Sequence, residues 1–489
     1  MREKRSMVYG LRSSAVCTLL ALSGCAVGPN YHRPEMAVPA QFKETGEWRQ
    51  AQPKDEIVRG RWWELYGDPV LNELEGRVNV SNQTLRAVEA QFRQAQAVAR
   101  QARASFFPGV DLGVSATRSK SGTGTNTVVN GATTVSGGSE VTSRRATATA
   151  SWEPDVWGRI RRSVENARDS ASASAADLEA QRLSIQAELA QDYFLLRVSD
   201  QQLQLFEDTV NAYERNLDIT RNRYAVGVAG RVDVAQAESQ LRSTQSQLVD
   251  ERVTRAQLEH AIALLVGEAP STFKIDRASL QAKLPNVPVA IPSELLERRP
   301  DIAAAERRVM AANASVGVAT AAFFPSITLS GTFGYQSTNA ANWFTAPSRF
   351  WSLGPALAQT LFDGGLLRAQ RQEAIASYDQ TVANYRETTL AAFQDVEDNL
   401  VALRLLEEES QLLNDALKSA RETVTLTLNQ YKAGTVSYLN VVTVQASALA
   451  DERAAVTLLG RQFTSNVALI RALGGGWTGE ELGAAVAAE

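Results

Sequence analysis

Few residues in this 489-residue chain are equipped for chemistry. There are two histidines, His32 and His260, and two cysteines, Cys17 and Cys25. A lone histidine is usually structural or solvated, and neither sits in a ligand-like cluster of sequence. No Gly-x-x-x-x-Gly-Lys-Ser/Thr phosphate loop, no His-Glu-x-x-His zinc pair and no Gly-x-Ser-x-Gly nucleophile elbow occurs. The carboxylates are scattered along helical stretches, and the run Glu407-Glu408-Glu409 reads as a solvated face. No catalytic residue, metal site or cofactor is therefore expected, and the chain reads as a non-enzyme. Cys25 is the exception, and its chemistry is acylation. Arg2, Lys4, Arg5 and Arg12 precede a short apolar stretch from Ser13 to Leu22, and Leu22-Ser23-Gly24-Cys25 follows. That order has the form of a lipoprotein signal. The stretch is too short for a transmembrane helix. Residues 1–24 are expected to be removed, leaving a lipidated (palmitate-bearing) Cys25 as the first residue. Two or more acyl chains anchor firmly where one is marginal. Ala26 follows the cysteine in place of the Asp that retains lipoproteins at the inner membrane, which permits transfer to the outer membrane. Cys17 leaves with the signal, so no disulfide is available.

The net charge is −4, and removing a signal of net +3 leaves the rest near −7. That disfavours nucleic acid as a partner. No apolar run of 18 residues follows the signal, so any membrane span must be built from strands.

The elements that could do this are written twice. Phe106-Phe107-Pro108 opens a stretch reading Val110, Leu112, Val114; Phe323-Phe324-Pro325 opens Ile327, Leu329, Phe333 and Tyr335, alternating with Thr328, Ser330, Thr332 and Gly334. A period of two marks a strand with one apolar and one wet face. Strands are predicted at 110–117, 146–152, 326–335 and 351–361, the last with Trp351, Leu353, Leu357 and Leu361 on one face. The Gly/Thr/Ser/Asn-rich stretch Ser119–Ser143 reads as an exposed loop. Each strand pair lies between long helices. A helix is predicted over 68–105. From Gly158 to about Ala225 no proline or glycine interrupts a second, in which Leu178, Ile185, Leu189, Phe194 and Leu196 share a stripe. Its counterpart runs from Asp363-Gly364-Gly365 to about Lys432. There Leu406, Leu413, Ala420 and Thr427, and Leu403, Ser410, Leu417, Val424 and Tyr431, repeat every seven, a coiled-coil seam. Each long helix measures roughly 100 Å at 1.5 Å per residue. Shorter helices at 232–266, 293–321 and 439–473 complete the programme.

Tyr224-x-x-Gly227 and Tyr431-x-x-Gly434 end the two long helices at matching places, and the proline pair Pro108 and Pro325 marks matching strand starts. The first copy has extra residues in its strand–loop–strand segment, where insertions collect in solvent. The Tyr-x-x-Gly turns become the far tips. Arg221, Arg223, Tyr224 and Arg231 cluster at the first and Tyr431, Lys432 and Tyr438 at the second; cations there offset a helix dipole, exchange contacts with other groups at the tips, or do both. Trp152 and Trp351, at strand ends, are expected to be membrane-interface aromatics, whereas Trp62-Trp63 reads as packing. Four strands cannot close a membrane barrel; two copies give eight, which side chains fill, and three give twelve with a lumen.

These residues carry a family likeness. Cys25-Ala-Val-Gly-Pro-Asn-Tyr-His-Arg-Pro34, Trp62-Trp63-Glu-Leu-Tyr-Gly-Asp68-Pro69, Leu295-Leu-Glu-Arg298-Arg299-Pro300-Asp301-Ile302 and Leu361-Phe362-Asp363-Gly364-Gly365 resemble the TolC-like outer membrane factors of the OprM/NodT lipoprotein type. The likeness covers about 25–475. It implies a mainly α fold with a membrane β-barrel: a homotrimer of twelve strands, four per chain, continuous with a long periplasmic α-helical barrel. It implies the passive exit duct of a tripartite efflux pump for drugs and toxic compounds. The partners would be a periplasmic membrane-fusion adaptor, an inner-membrane RND transporter and outer membrane lipids, in a Gram-negative outer membrane. A heavy-metal efflux duct and a non-conducting coiled-coil lipoprotein tether are the alternatives. The expected organisation is signal 1–24, anchored segment 25–67, first repeat 68–267, connector 268–292, second repeat 293–475 and tail 476–489. The gate would lie at Tyr224, Gly227, Arg231, Asp233, Tyr431, Gly434, Tyr438, Asn440 and Thr443. Relatives often carry acids where this chain has Asn440 and Thr443, so a neutral constriction involving Val441 and Val442 is expected. Pro154 and Trp157 also depart from the usual Leu and Phe, with no functional consequence expected.

Overall fold

The computed structural model describes residues 26–36, 38–39, 41–43, 60–120, 126–129, 132–135, 140–285 and 299–475. The signal, Cys25, residues 286–298 and the tail from 476 lie outside them. The helices are α1 (Pro69–Ser81), α2 (Gln83–Ala104), α3 (Arg159–Ala225), α4 (Arg231–Leu265), α5 (Pro300–Ala321), α6 (Leu366–Ala433) and α7 (Tyr438–Ala472). The strands are β1 (Gly109–Lys120), β2 (Asn126–Val129), β3 (Ala132–Val135), β4 (Glu140–Trp152), β5 (Ser326–Ser337) and β6 (Arg349–Ala358). The chain is mostly helical with one four-stranded sheet. Its residues divide into two compact units, and the long helices contribute to both.

The first unit holds Gln94–Ala171 and Arg307–Ala383. Its sheet is antiparallel in the order β1-β4-β5-β6. The register sorts the side chains into rows: Val110, Ala150, Gly331 and Leu353; Leu112, Ala148, Phe333 and Trp351; Val114, Ala146, Tyr335 and Arg349. Intervening rows carry Asp111, Thr149, Thr332 and Ser352, or Gly109, Ser151, Ser330 and Gly354. One face is thus apolar and the other polar, as a period of two dictates. Leu112 is 80% exposed and Trp351 72%, although both belong to the apolar face. β1 and β6 are edges and leave a row of backbone groups without a ladder partner. Below the strands, Trp157 stacks on Phe324 with ring centroids 5.0 Å apart and donates its Nε1–H to the Pro325 carbonyl at 2.8 Å. The tryptophan that departs from the family pattern therefore ties the start of α3 to the start of β5.

Three expectations need correction here. The helix over 68–105 is two helices, because Asn82 is extended (φ −64, ψ 123). Its side-chain oxygen accepts from Leu85 N at 2.9 Å and its amide donates to the Leu265 carbonyl at 2.7 Å, so it caps α2 while holding the end of α4. The stretch Ser119–Ser143 is not all loop. β1 and β4 extend into it and β2 pairs with β3 inside it. Val and Thr flanking Asn130-Gly131 are the hairpin signal. β6 stops at Ala358, so Leu361 lies beyond it, 94% exposed.

The second unit holds Glu35–Arg93, Ser172–Glu306 and Asn384–Glu489. Leu178, Ile185, Leu189, Phe194 and Leu196 are all buried, as their stripe requires. On α6 the heptad positions 403, 406, 410, 413, 417, 420, 424, 427 and 431 are buried or half-buried, and nearly every residue between them is exposed. Trp62 and Trp63 are buried, and Tyr66 packs 4.8 Å from Phe194 and 6.1 Å from Phe463. A buried ion cluster fastens the stretch after α4. Asp200 accepts from Arg255 Nε at 2.7 Å, Arg197 Nη1 at 3.1 Å and Ala278 N at 3.2 Å. Arg255 and Arg197 in turn donate to the carbonyls of Ile275 and Asp276, at 2.7 and 2.8 Å. Glu259 takes the Ile275 N–H at 2.7 Å.

Candidate functional site

The two helix hairpins, α3–α4 and α6–α7, turn at Gly227 and Gly434, whose φ angles of +74 and +78 suit glycine. Gly227 N donates to Tyr224 O at 3.0 Å and Gly434 N to Tyr431 O at 3.0 Å, so the turns close alike. They differ at the next helix start. In the first, Asp233 stands at the third position of α4 and takes the Gly230 N–H at 3.1 Å. In the second, Asn440 occupies the matching position of α7, and Ser437 makes no side-chain cap. The acid retained in the first half is therefore a helix cap.

The tyrosines also part company. Tyr224 is exposed, whereas Tyr431 and Tyr438 are 4% and 2% exposed, with rings 5.2 Å apart. They join Leu203, Phe206, Tyr213, Leu217, Val234 and Val441 in one apolar cluster. Burial, reinforced by Tyr431, pushes the Tyr438 phenol up to about 12, so that ring stays neutral at physiological pH. Arg223 bridges the hairpins. Its guanidinium lies 4.8 Å from the Tyr431 ring centroid and donates to the Lys432 carbonyl at 3.1 Å. Thr220 Oγ1 lies 3.4 Å from the Tyr431 hydroxyl. Within the first hairpin, Arg221 donates to Glu238 at 2.8 Å, and that bond holds the Glu238 carboxyl below its ordinary range.

The structure thus brings Gly227, Asp233, Gly434, Tyr431 and Tyr438 into the paired turns, the glycines closing them, Asp233 capping a helix and the two tyrosines packing inside. Tyr224 and Arg231 stay on the surface of the first turn. Asn440 is exposed, and so is Thr443, whose Oγ1 donates to Leu439 O at 2.9 Å. Val441 is fully buried in the cluster and Val442 half-buried, so neither valine is as exposed as Asn440 and Thr443. Trp152 and Trp351 are both on the sheet's apolar face, and Trp152 Nε1 donates to Phe106 O at 2.9 Å. The partners Thr220, Tyr213 and Glu238 were not foreseeable as tip residues, since their spacing is that of ordinary helix positions.

Replacing Arg223 with alanine removes a cation–π contact worth about 1–2 kcal/mol when desolvated and a carbonyl bond worth about 1. Amide exchange over 429–439 should rise at least tenfold, while exchange over 190–200 stays unchanged. Equal exchange in both variants would show that the bridge holds nothing.

Among the described residues no group of three or more His, Cys, Asp or Glu could hold a metal ion. A family model described as outer membrane efflux protein matches residues 76–268 and 291–475. The chain is 30% identical over 475 residues to the toluene efflux pump outer membrane protein TtgC of Pseudomonas putida, with 96% of each chain covered. It is 29% identical over 465 residues to the cation efflux system protein CusC of Escherichia coli, covering 94% of this chain and 98% of that one. Among solved structures, the outer-membrane channel OprN aligns with a TM-score of 0.85 at 29% identity, over 93% of this chain and 100% of OprN.

Proposed function

Because the chain belongs to the outer membrane efflux protein family, we propose that it is the passive outer-membrane duct of a tripartite efflux pump. A periplasmic adaptor and an inner-membrane RND transporter would be its partners. The observation that carries the reading is the sheet: one apolar face, one polar face and two unpaired edges. Such a sheet is incomplete alone. Three copies pairing β6 of one with β1 of the next would close twelve strands around a polar lumen. No described helix is long and apolar enough to cross a membrane, which fits a span made by strands. The two repeats, 68–267 and 293–475, would each give one strand pair and one helix hairpin, with 268–292 as connector. Cys25 would anchor the chain to the outer membrane through its acyl groups.

In this reading the paired turns are the periplasmic gate. Docking of the adaptor would favour an open arrangement in which contacts such as Arg223 with Tyr431 and Lys432 are exchanged, a two-state shift driven by differential contacts. The energy comes from the partner transporter. Relatives of nearly equal identity are named for toluene and for cation efflux, which supports a cargo set by the transporter. A heavy-metal duct is the second reading, favoured by the likeness to CusC.

Single-channel recording in planar bilayers tests the proposal. Full-length trimer should conduct, and Asn440→Asp should change both conductance and the response to divalent cations, since it would place a carboxylate at a neutral constriction in each copy. Absence of any conductance would leave a tether instead. Conduction with Asn440→Asp indistinguishable from the parent would remove Asn440 from the gate.

A further inference from the structure

Past the apolar band, the same face of the sheet changes sign. The row of Val114, Ala146 and Tyr335 closes on Arg349. The next row on this face carries Arg144, opposite Ala116 and Ser337. Arg118 follows opposite Thr142, then Lys120 opposite Glu140. The two-residue period keeps these side chains on the face of Leu112 and Trp351. Four cations therefore meet one carboxylate. Glu140 takes Arg118 at 2.5 Å and Lys120 at 3.9 Å. Arg144 donates to a neutral partner, the Thr338 carbonyl at 3.3 Å. Arg118, Lys120 and Arg349 are exposed. Arg118 and Arg144 are diagonal neighbours across β1 and β4, about 7–8 Å apart at their backbones. Beside Arg349, the Tyr335 ring lies 5.5 Å from Phe344, which stacks on Trp343 at 4.7 Å.

This basic band lies at the hairpin ends of the strands. All four helix connections, after Ala104 and Trp152, after Ala321 and after Ala358, leave from the opposite end. When the helices occupy the periplasm, the band faces the outer leaflet. We propose that it binds the phosphate groups of a phosphorylated glycolipid in that leaflet, whose acyl chains lie along the apolar rows below. The inference rests on the trimeric duct reading, because Arg349 on β6 and Arg118 with Lys120 on β1 occupy opposite edges and meet only across a junction between copies. An amphiphile fits better than a soluble anion: Arg118, Lys120 and Arg349 are exposed surface cations, and they continue the apolar rows of the same face.

Native mass spectrometry of the detergent-purified full-length protein tests this with bisphosphorylated lipid A, lipid A lacking both phosphates, and millimolar inorganic phosphate as competitor. The trimer should retain bisphosphorylated lipid A at least tenfold more than the phosphate-free form, with no displacement by inorganic phosphate. The combined variant Arg118→Ser, Arg144→Ser and Arg349→Ser should lose retention at least tenfold, the order expected for three cations at a charged surface. The single variant Arg349→Ser, at an exposed edge position, should fold as the parent does and lose part of it. Equal retention of phosphate-free lipid A, undiminished retention by the combined variant, or displacement by inorganic phosphate each overturns the lipid site while the trimer mass still stands. A mass showing no trimer overturns the duct reading, and the lipid site with it.

Discussion

Asp200→Asn should lower the stability of the chain by about 3–5 kcal/mol. Asp200 is 4% exposed, and its carboxylate faces the guanidinium groups of Arg197 and Arg255. Asparagine keeps the shape and removes the charge. Its amide nitrogen would also point donors at donors. Arg197 would then remain buried with no carboxylate beside it and Arg255 with Glu259 alone, at 3.4 Å, which costs far more than a lost surface pair. The contrast is Arg421 with Glu452, where the arginine is 63% exposed. Truncating that pair should cost under about 1 kcal/mol. Denaturant titration followed by helical circular dichroism separates the two. Amide exchange should also rise across 273–278, since Arg197, Arg255 and Asp200 hold that stretch through its backbone. A loss below about 1 kcal/mol for Asp200→Asn would mean that the cluster is solvated and not a fastening.

That cluster marks where sequence reading stops. Arg197, Asp200, Arg255 and Ile275 have no shared motif, and only the fold makes them neighbours. The long helices were legible because burial in them repeats: the seam from Leu403 to Tyr431 is the set of positions that the structure buries. The strands were legible because alternation survives in Ile327, Leu329, Phe333 and Tyr335. What alternation could not give was the end of each strand. Thr142 and Ser143 look like loop residues, yet they continue the ladder opposite Arg118 and Thr117. Asn82 was hidden for the reverse reason, since one residue with helical residues on both sides reads as helix until its partners, Leu85 and Leu265, are known. At the tips, residue types pointed to the right turns. They did not reveal that Tyr431 faces inward while its counterpart Tyr224 faces water, because Tyr431 packs on residues of both hairpins, among them Leu217 and Tyr438, that only the fold brings together.

Leu112→Arg should weaken insertion of the assembled protein by about 2–4 kcal/mol per chain, while Ser115→Arg on the same strand should be tolerated. Leu112 belongs to the apolar row with Ala148, Phe333 and Trp351, and Ser115 to the polar face beside Arg145. Leu112 is 80% exposed within one chain, so the substitution removes almost no packing inside it. Whatever it costs comes from the medium that face meets. An arginine at the midplane of a lipid-facing strand costs about 2–4 kcal/mol, and a threefold assembly repeats that cost in every copy. Arginine at position 115 would stay in water and add a positive ring to the lumen. Urea titration of protein folded into vesicles gives the difference, and reversal potentials give the lumen charge. Leu112→Arg should fold less stably by at least about 2 kcal/mol per chain, and Ser115→Arg should stay close to the parent while shifting selectivity toward anions. If the two variants behave alike, the apolar face of this sheet does not meet lipid. A water-exposed tether would show the opposite order, with Leu112→Arg improving solubility at no cost in stability.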